Sequence, residues 1–266
     1  MLKSSMFKII VAHPDDEILF FNSIISSAHK IIVCYGPSPS SREVTAGRKR
    51  LKLSPPFSNM KFLDISESNV YDAISFKNRK IIREGIEVFK DSLSYVSKFD
   101  ILKEQLKLEL VKGDTIFTHN PWGEYGHPEH VQVFSAISSL IDEFNLKIFF
   151  NGYVSDKTFE FMSKRCSLIG PESFVNHPNN ELGQIVKKLY ILNNCWTWDS
   201  DYQWPSTEIF HQLLGNDEPS FYRQFNSSHP PLNFLTSKFT SCYLIIRLKR
   251  FIPNKVKLII KKIFKK

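Results

Sequence analysis

Glycine is scarce in this chain, 10 residues in 266, and no segment has the biased composition of a fibrous or disordered protein. The four cysteines, Cys34, Cys166, Cys195 and Cys242, are scattered without a CxxC pair. That distribution suits free thiols in a reducing compartment and argues against a disulfide-stapled secreted domain. No window approaches the roughly 18 uninterrupted apolar residues of a membrane span. The first apolar run breaks at His13 on an acidic cluster, which a signal peptide would not do. No repeat recurs at a solenoid period. Acidic residues are absent from the last twenty positions, where nine basic residues lie between Arg247 and Lys266. Without that tail, 26 basic residues face 27 acidic ones. The net charge of +8 therefore belongs to the tail, and the nearly neutral body lacks the basic excess of a nucleic-acid-binding surface. No nucleic-acid partner is expected.

What is present is an alternation. The apolar runs FKIIVA (7–12), KIIVCY (30–35), MKFLDI (60–65), TIFTH (115–119) and KIFFNGY (147–153) read as strands. Between them, helical patterns fall at about 17–29, 41–52, 78–111 and 128–143. Strands alternating with helices predict an α/β fold, a Rossmann-like, mostly parallel sheet with helices on both faces. Beyond 153 the alternation fades into an irregular and helical segment, with a helix at about 181–194 and a loop-like 216–235. The expected division is a domain over 1–235 and a basic amphipathic tail over 236–266.

Two loops carry the chemistry. The first strand runs into HPDDE (13–17), which sets a histidine beside three carboxylates. Burying such a group without a counter-charge costs several kcal/mol or more. The fourth strand runs into NPWGEYGHPEHV (120–131), where His127 and His130 lie three apart with Pro128 suited to a helix start. In an open α/β sheet both loops reach the carboxyl edge where ligands bind. Joining them gathers His13, Asp15, Asp16, His127 and His130. Two histidines and a carboxylate with an open fourth position make a catalytic zinc site, and a cation makes the crowded carboxylates tolerable.

AHPDDE and the later GHPEH, in order within residues 7 to about 150, resemble the GlcNAc-phosphatidylinositol de-N-acetylase family of PIG-L/LmbE-like zinc deacetylases. The resemblance implies one zinc ion bound by His13, Asp16 and His130, with Asp15 as general base and His127 assisting at the transition state. EYGHPEH further resembles the bacterial members in which a tyrosine at the place of Tyr125 polarises the substrate carbonyl. The family also has an arginine near the start of the helix after the second strand; SPSSREVTAGRKR offers Arg42, Arg48 and Arg50, and Arg42 is preferred as the substrate-binding residue. The implied activity is removal of an N-acetyl group from an amino sugar of N-acetylglucosamine type. Two alternatives stand beside it: deacetylation of a small soluble thiol or antibiotic glycoside, and a catalytically silent sugar-binding or membrane-scaffold protein.

Glu17 and Glu129 read as first-turn helix charges, His119 as a supporting residue at a strand end, and His29, His177, His211 and His229 as surface or packing residues. The aromatic cluster Trp196, Trp198, Tyr202 and Trp204 reads as packing of the C-terminal segment ahead of a sugar-stacking wall. In KVKLIIKKIFKK, Val256, Ile259, Ile260 and Ile263 recur at helical spacing opposite lysines. That pattern predicts an interfacial helix, and residues 247–266 are expected to contact anionic membrane at the inner face of a cytoplasmic location.

Overall fold

The computed structural model describes residues 6–75, 78–214 and 231–235. Strand β1 (Phe7–Val11) is buried along its whole length, as a central parallel strand covered on both faces must be. It pairs in parallel with β2 (Lys30–Tyr35) on one side and β6 (Thr115–Thr118) on the other. Beyond them lie β3 (Met60–Ile65), parallel to β2, and β7 (Lys147–Asn151), parallel to β6. The sheet order is β3-β2-β1-β6-β7-β10-β9, where β9 is Ile169–Asn176 and β10 is Glu208–Leu213, both antiparallel additions. The mostly parallel sheet with helices on both faces is the predicted fold class.

Alternation along each strand divides the core. Ile10, Ile32, Ile116 and Phe150 pack with residues of α3 (Ser92–Lys107) and α4 (Pro128–Ser138) on one face. Ile9, Ile31, Phe117 and Phe149 pack with α1 (Asp16–Phe20) and α7 (Asn180–Leu192) on the other. Each such side chain, buried, contributes about 1.5–3 kcal/mol. The strand order reverses between β1 and β6, so the carboxyl ends of these two strands form the switch-point crevice. Helix α2 (Arg42–Leu53) follows β2, its first turn capped by the Ser41 hydroxyl, which accepts from Val44 N–H.

The structure departs from the sequence pattern in three places. The helix expected over 17–29 ends at Phe20. Asn22 instead accepts from the Asn179 amide, and the Ser23 amide donates to Glu208, so tertiary hydrogen bonds replace the helical ladder. Within 78–111, the hairpin of β4 (Ile81–Ile82) and β5 (Gly85–Ile86) precedes α3, with Gly85 at φ +132° where a side chain would be strained. Beyond 153 the chain is not mainly irregular. It adds β8 (Tyr153–Ser155), β9 and β10 to the strands, and β11 (Asn233–Leu235) pairs with β8. The short helices α5 (Ile141–Phe144) and α6 (Phe159–Ser163) and three single 3-10 turns, Ile25–Ser27, Tyr71–Ala73 and Cys166–Leu168, complete the described elements.

Cys34, Cys166 and Cys195 are buried, and the Cys166 thiol donates to the Met162 carbonyl. Among the described residues no helix is long and apolar enough to cross a membrane. Cys242, His229 and the whole of the tail proposed to meet membrane lie outside the described residues.

Candidate metal centre

The two loops meet as their strands require. The Ala12 amide donates to His119 Nε2 at 2.9 Å, and the Thr118 hydroxyl donates to the Ile10 carbonyl at 2.8 Å, fixing the end of β1 to the end of β6. Gly123, at φ +70°, leaves no room for a Cβ, which would lie 2.8 Å from the His127 carbonyl. The turn through Gly123 and Gly126 brings the chain back to His127, which caps α4. Pro128 occupies the first turn, as its fixed φ favours.

Asp16 Oδ2 is the centre of the cluster. It lies 3.2 Å from His13 Nδ1 and 3.3 Å from His130 Nε2, and it accepts from the His13 amide at 2.7 Å. The other nitrogen of each histidine is anchored on a carboxylate: His130 Nδ1 on Glu124 Oε2 at 2.7 Å, His13 Nε2 on Glu129 Oε2 at 2.8 Å. Both outer nitrogens are therefore donors, and in the neutral ring the inner ones carry lone pairs. His130 Nε2 is buried without a hydrogen-bond partner. His13 Nδ1 faces a carboxylate oxygen, lone pair against lone pair, unless a cation lies between them. A proton is one such cation: burial opposes it, but Asp16 and Glu129 outweigh burial and raise the His13 pKa to about 10. A divalent metal is the other, and this donor set, two imidazoles and one carboxylate with buried carboxylates behind the rings, suits zinc.

Ligand atoms converge in three groups among the described residues: His13, His127 and His130; Asp16, His119 and His130; and His13, Glu67 and Glu129. The predicted trio of His13, Asp16 and His130 is distributed over the first two. Hydrogen bonding separates the competitors. His119 Nε2 already accepts from Ala12, which occupies its lone pair, and its Nδ1 lies 3.1 Å from Glu124; against burial, its carboxylate neighbours pull its pKa up to about 9. His127 Nδ1 accepts from the Glu129 amide at 3.2 Å, so its proton is on Nε2. Burial, then the neighbouring His13 and His130, keep its pKa well below the usual value. His127 is thus a neutral donor at the rim of the cluster, its ring 4.7 Å from those of His13 and His130. In the third group, Glu67 pairs with Arg48 and Glu129 accepts from the Ser68 amide, so these carboxylates already have partners.

Asp15 sits at φ +101°, a sparsely populated conformation held by the Glu17 carboxylate accepting its amide at 3.1 Å. Its side chain is buried, with Oδ1 lacking a partner. Burial, and then the adjacent Asp16 charge, raise its pKa well above the ordinary carboxylate value. Tyr125 lies edge-on to His130 at 5.3 Å and to His127 at 5.9 Å between ring centres. Arg42 is not brought into this group. It is exposed on α2 and lines a groove of about 480 Å³ with Pro37, Ser38, Thr45, Lys49 and Ser66. Buried Arg48, not Arg42, reaches the centre, through Glu67, whose Oε1 lies 3.6 Å from His13 Nε2.

Sequence reasoning missed four contributors. Glu124 holds both His119 and His130, and accepts from the Asn120 amide and Asn151 Nδ2. Those two histidines bring its pKa down to about 2 despite burial. Glu129 is a partner of His13, beyond a helix-end charge. Arg48 is an internal counter-charge. Thr197 bonds Asp15 from a segment that the motifs do not reach. Glu124 and Glu129 carried a signal as acidic residues within the second loop, and Arg48 as one of the three arginines after the second strand; Thr197 carried none. Within the aromatic cluster, Trp204 Nε1 donates to the Ile18 carbonyl and the Tyr202 hydroxyl to that of Leu19, so packing onto α1 is their role. Trp198 faces Tyr125 at 4.7 Å.

The class defined by this fold and site is an α/β protein with a buried histidine–carboxylate centre at the switch point of its sheet. No family model and no curated protein matches the chain. Similar solved structures include a deacetylase–teicoplanin complex from teicoplanin biosynthesis (12% identity, TM-score 0.47, covering 80% of this chain and 100% of that one). Others are the zinc-inhibited form of teicoplanin deacetylase Orf2 (14%, 0.46, the same coverages) and the A40926 pseudoaglycone deacetylase Dbv21 (9%, 0.49, 80% and 98%). Such likeness is one of chain path and says nothing of this chain's substrate.

Proposed function

We propose that the chain is a zinc-dependent N-deacetylase that hydrolyses the acetamide of an amino sugar, of N-acetylglucosamine type, carried on a larger glycoconjugate. The observation that carries this reading is the buried, partnerless Nε2 of His130 facing Asp16 Oδ2, with His13 Nδ1 on the same oxygen. His13, Asp16 and His130 would hold the metal. Bound there, zinc would polarise the amide carbonyl and bring the pKa of the attacking water towards neutrality. Asp15 Oδ1 takes the proton as the water oxygen bonds to the carbonyl carbon. His127 Nε2–H and the Tyr125 hydroxyl donate to the oxygen on which charge develops, a contribution of about 3–4 kcal/mol for a well-placed donor. As the carbon–nitrogen bond breaks, Asp15 passes that proton to the leaving nitrogen, and the amine and acetate are released.

Arg42, with Lys49 and Ser38 along the same groove, offers polar contacts to the rest of the conjugate. Residues 247–266, with nine cations and no anion, suit attraction to acidic lipid, which supports a peripheral contact with anionic membrane. The test is acetate release by zinc-loaded protein from N-acetylhexosamines presented as methyl glycosides, nucleotide conjugates and lipid conjugates. Release from at least one, absent in Asp15→Asn, supports the reading. Equal release by parent and Asp15→Asn, or none from any conjugate, overturns it.

A further inference from the structure

Thr197 makes two hydrogen bonds to a single oxygen. Its amide donates to Asp15 Oδ2 at 2.7 Å and its hydroxyl to the same atom at 2.8 Å. Asp15 is fully buried while Thr197 is exposed, so the threonine lies between the carboxylate and solvent on that side. The other carboxylate oxygen, Oδ1, is left without a partner.

The segment bearing Thr197 is itself held rigidly. Cys195 is buried and its amide donates to the Tyr190 carbonyl at 3.0 Å. Trp196 Nε1 donates to the Asp199 carbonyl, and the Lys187 ammonium lies 5.3 Å from the Trp196 ring centre while donating to the Tyr202 carbonyl. Trp198 packs edge-on against Tyr125 and, at 6.4 Å, against Phe20. A carboxylate free to rotate exchanges its two oxygens. Two donors converging on Oδ2 remove that freedom, and the strained backbone at Asp15 is held from the other side by Glu17.

We propose that Thr197 is a positioning residue for Asp15, pinning Oδ2 so that Oδ1 alone is presented for proton transfer, and that residues 195–198 thereby form a third wall of the active site. The proposal rests on the deacetylase reading for the meaning of that proton transfer. Its geometric content, a doubly bonded Oδ2, stands by itself. Preorganisation of this kind acts on turnover and leaves substrate affinity alone.

The experiment compares Thr197→Val, which loses the hydroxyl donor and keeps the amide, with Thr197→Ser, which restores the hydroxyl. The probe is the methyl glycoside of N-acetylglucosamine, or whichever conjugate the parent hydrolyses. Val is expected to lower kcat about tenfold, as for loss of one hydrogen bond to a charged group, with KM and zinc content unchanged, and Ser to recover most of the rate. In an Asp15→Asn background the Val substitution should cost less than about twofold, because the oxygen it positions no longer works as a base. Unchanged kcat in Thr197→Val, or an equal loss in both backgrounds, overturns the assignment. If the parent hydrolyses no conjugate, the deacetylase reading fails, and amide hydrogen exchange then decides the clamp. Protection of the Thr197 N–H that is lost in Asp15→Ala sustains it; exchange at the same rate in both proteins removes it.

Discussion

Glu124 and His130 form a directed pair: His130 Nδ1 lies 2.7 Å from Glu124 Oε2, which turns the lone pair of His130 Nε2 towards Asp16. The carboxylate sets the tautomer, and that tautomer leaves Nε2 able to act as a ligand. Glu124→Gln keeps the shape, loses the charge, and offers an amide in place of one acceptor. Zinc affinity, measured by competition with a chromophoric chelator, is expected to fall about 10–100-fold. Affinity equal to that of the parent would show that His130 is oriented by packing alone.

Asp15→Asn is nearly isosteric and a far weaker base. Acetate release is expected to fall about 10²–10⁴-fold with zinc retained. His127→Ala and Tyr125→Phe should also retain zinc and turn over more slowly, Tyr125→Phe less so. A normal rate for Asp15→Asn would transfer the proton-accepting role to another group.

Much of this centre is legible in the residue order. HPDDE and GHPEH each follow an apolar run, and parallel pairing obliges runs of that kind to deliver their loops to one edge. The supporting residues are harder to read. Thr197 lies 182 positions from Asp15 in a stretch whose aromatic content suggests only packing, and Arg48 reaches His13 only through Glu67. Strand β9 is hidden in the sequence for a different reason. β9 carries Gly170 and Pro171 and is half exposed, as an edge strand tolerates, so it lacks the apolar run that marks the inner strands. The shortness of α1 was equally hidden, because Asn22 and Ser23 find their partners in residues 179 and 208.

His211 predicts a pH dependence of stability remote from the centre. Its Nε2 donates to the Pro231 carbonyl at 2.9 Å and its Nδ1 accepts from the Ser173 hydroxyl at 2.7 Å; burial lowers its pKa from 6.5 to about 4. Above pH 6.5 neither state takes the proton, and the stability is fully present. As pH falls from there through 4, the unfolded chain binds a proton that the folded one refuses, and about 3 kcal/mol is lost. Denaturant unfolding at pH 7 and pH 4.5 should show a smaller difference in His211→Gln than in the parent. Parallel pH slopes would count against this.

Gly47 reverses the usual rule for glycine in a helix, where alanine gains up to about 1 kcal/mol. A Cβ there would lie 1.8 Å from the Asn193 carbonyl oxygen, so α2 must shift away from the end of α7. Gly47→Ala is expected to destabilise by about 1–3 kcal/mol, read as a lower chemical-denaturation midpoint. A raised midpoint would contradict the close approach.

The tail yields a prediction from charge alone. Deleting residues 247–266 should abolish sedimentation with anionic vesicles while leaving hydrolysis of a soluble acetamido sugar nearly unchanged. Raising salt should weaken binding of the full chain, since each basic residue contributes about 1 kcal/mol near such a surface. Equal vesicle binding by both proteins would remove the membrane role.

The central claim, that His13, Asp16 and His130 hold one divalent metal, is tested most directly by metal content. Elemental analysis of zinc-loaded, desalted protein should give one zinc per chain for the parent and clear loss in Asp16→Ala and His130→Ala, with circular dichroism showing all three folded. Full zinc content in both variants would contradict the account.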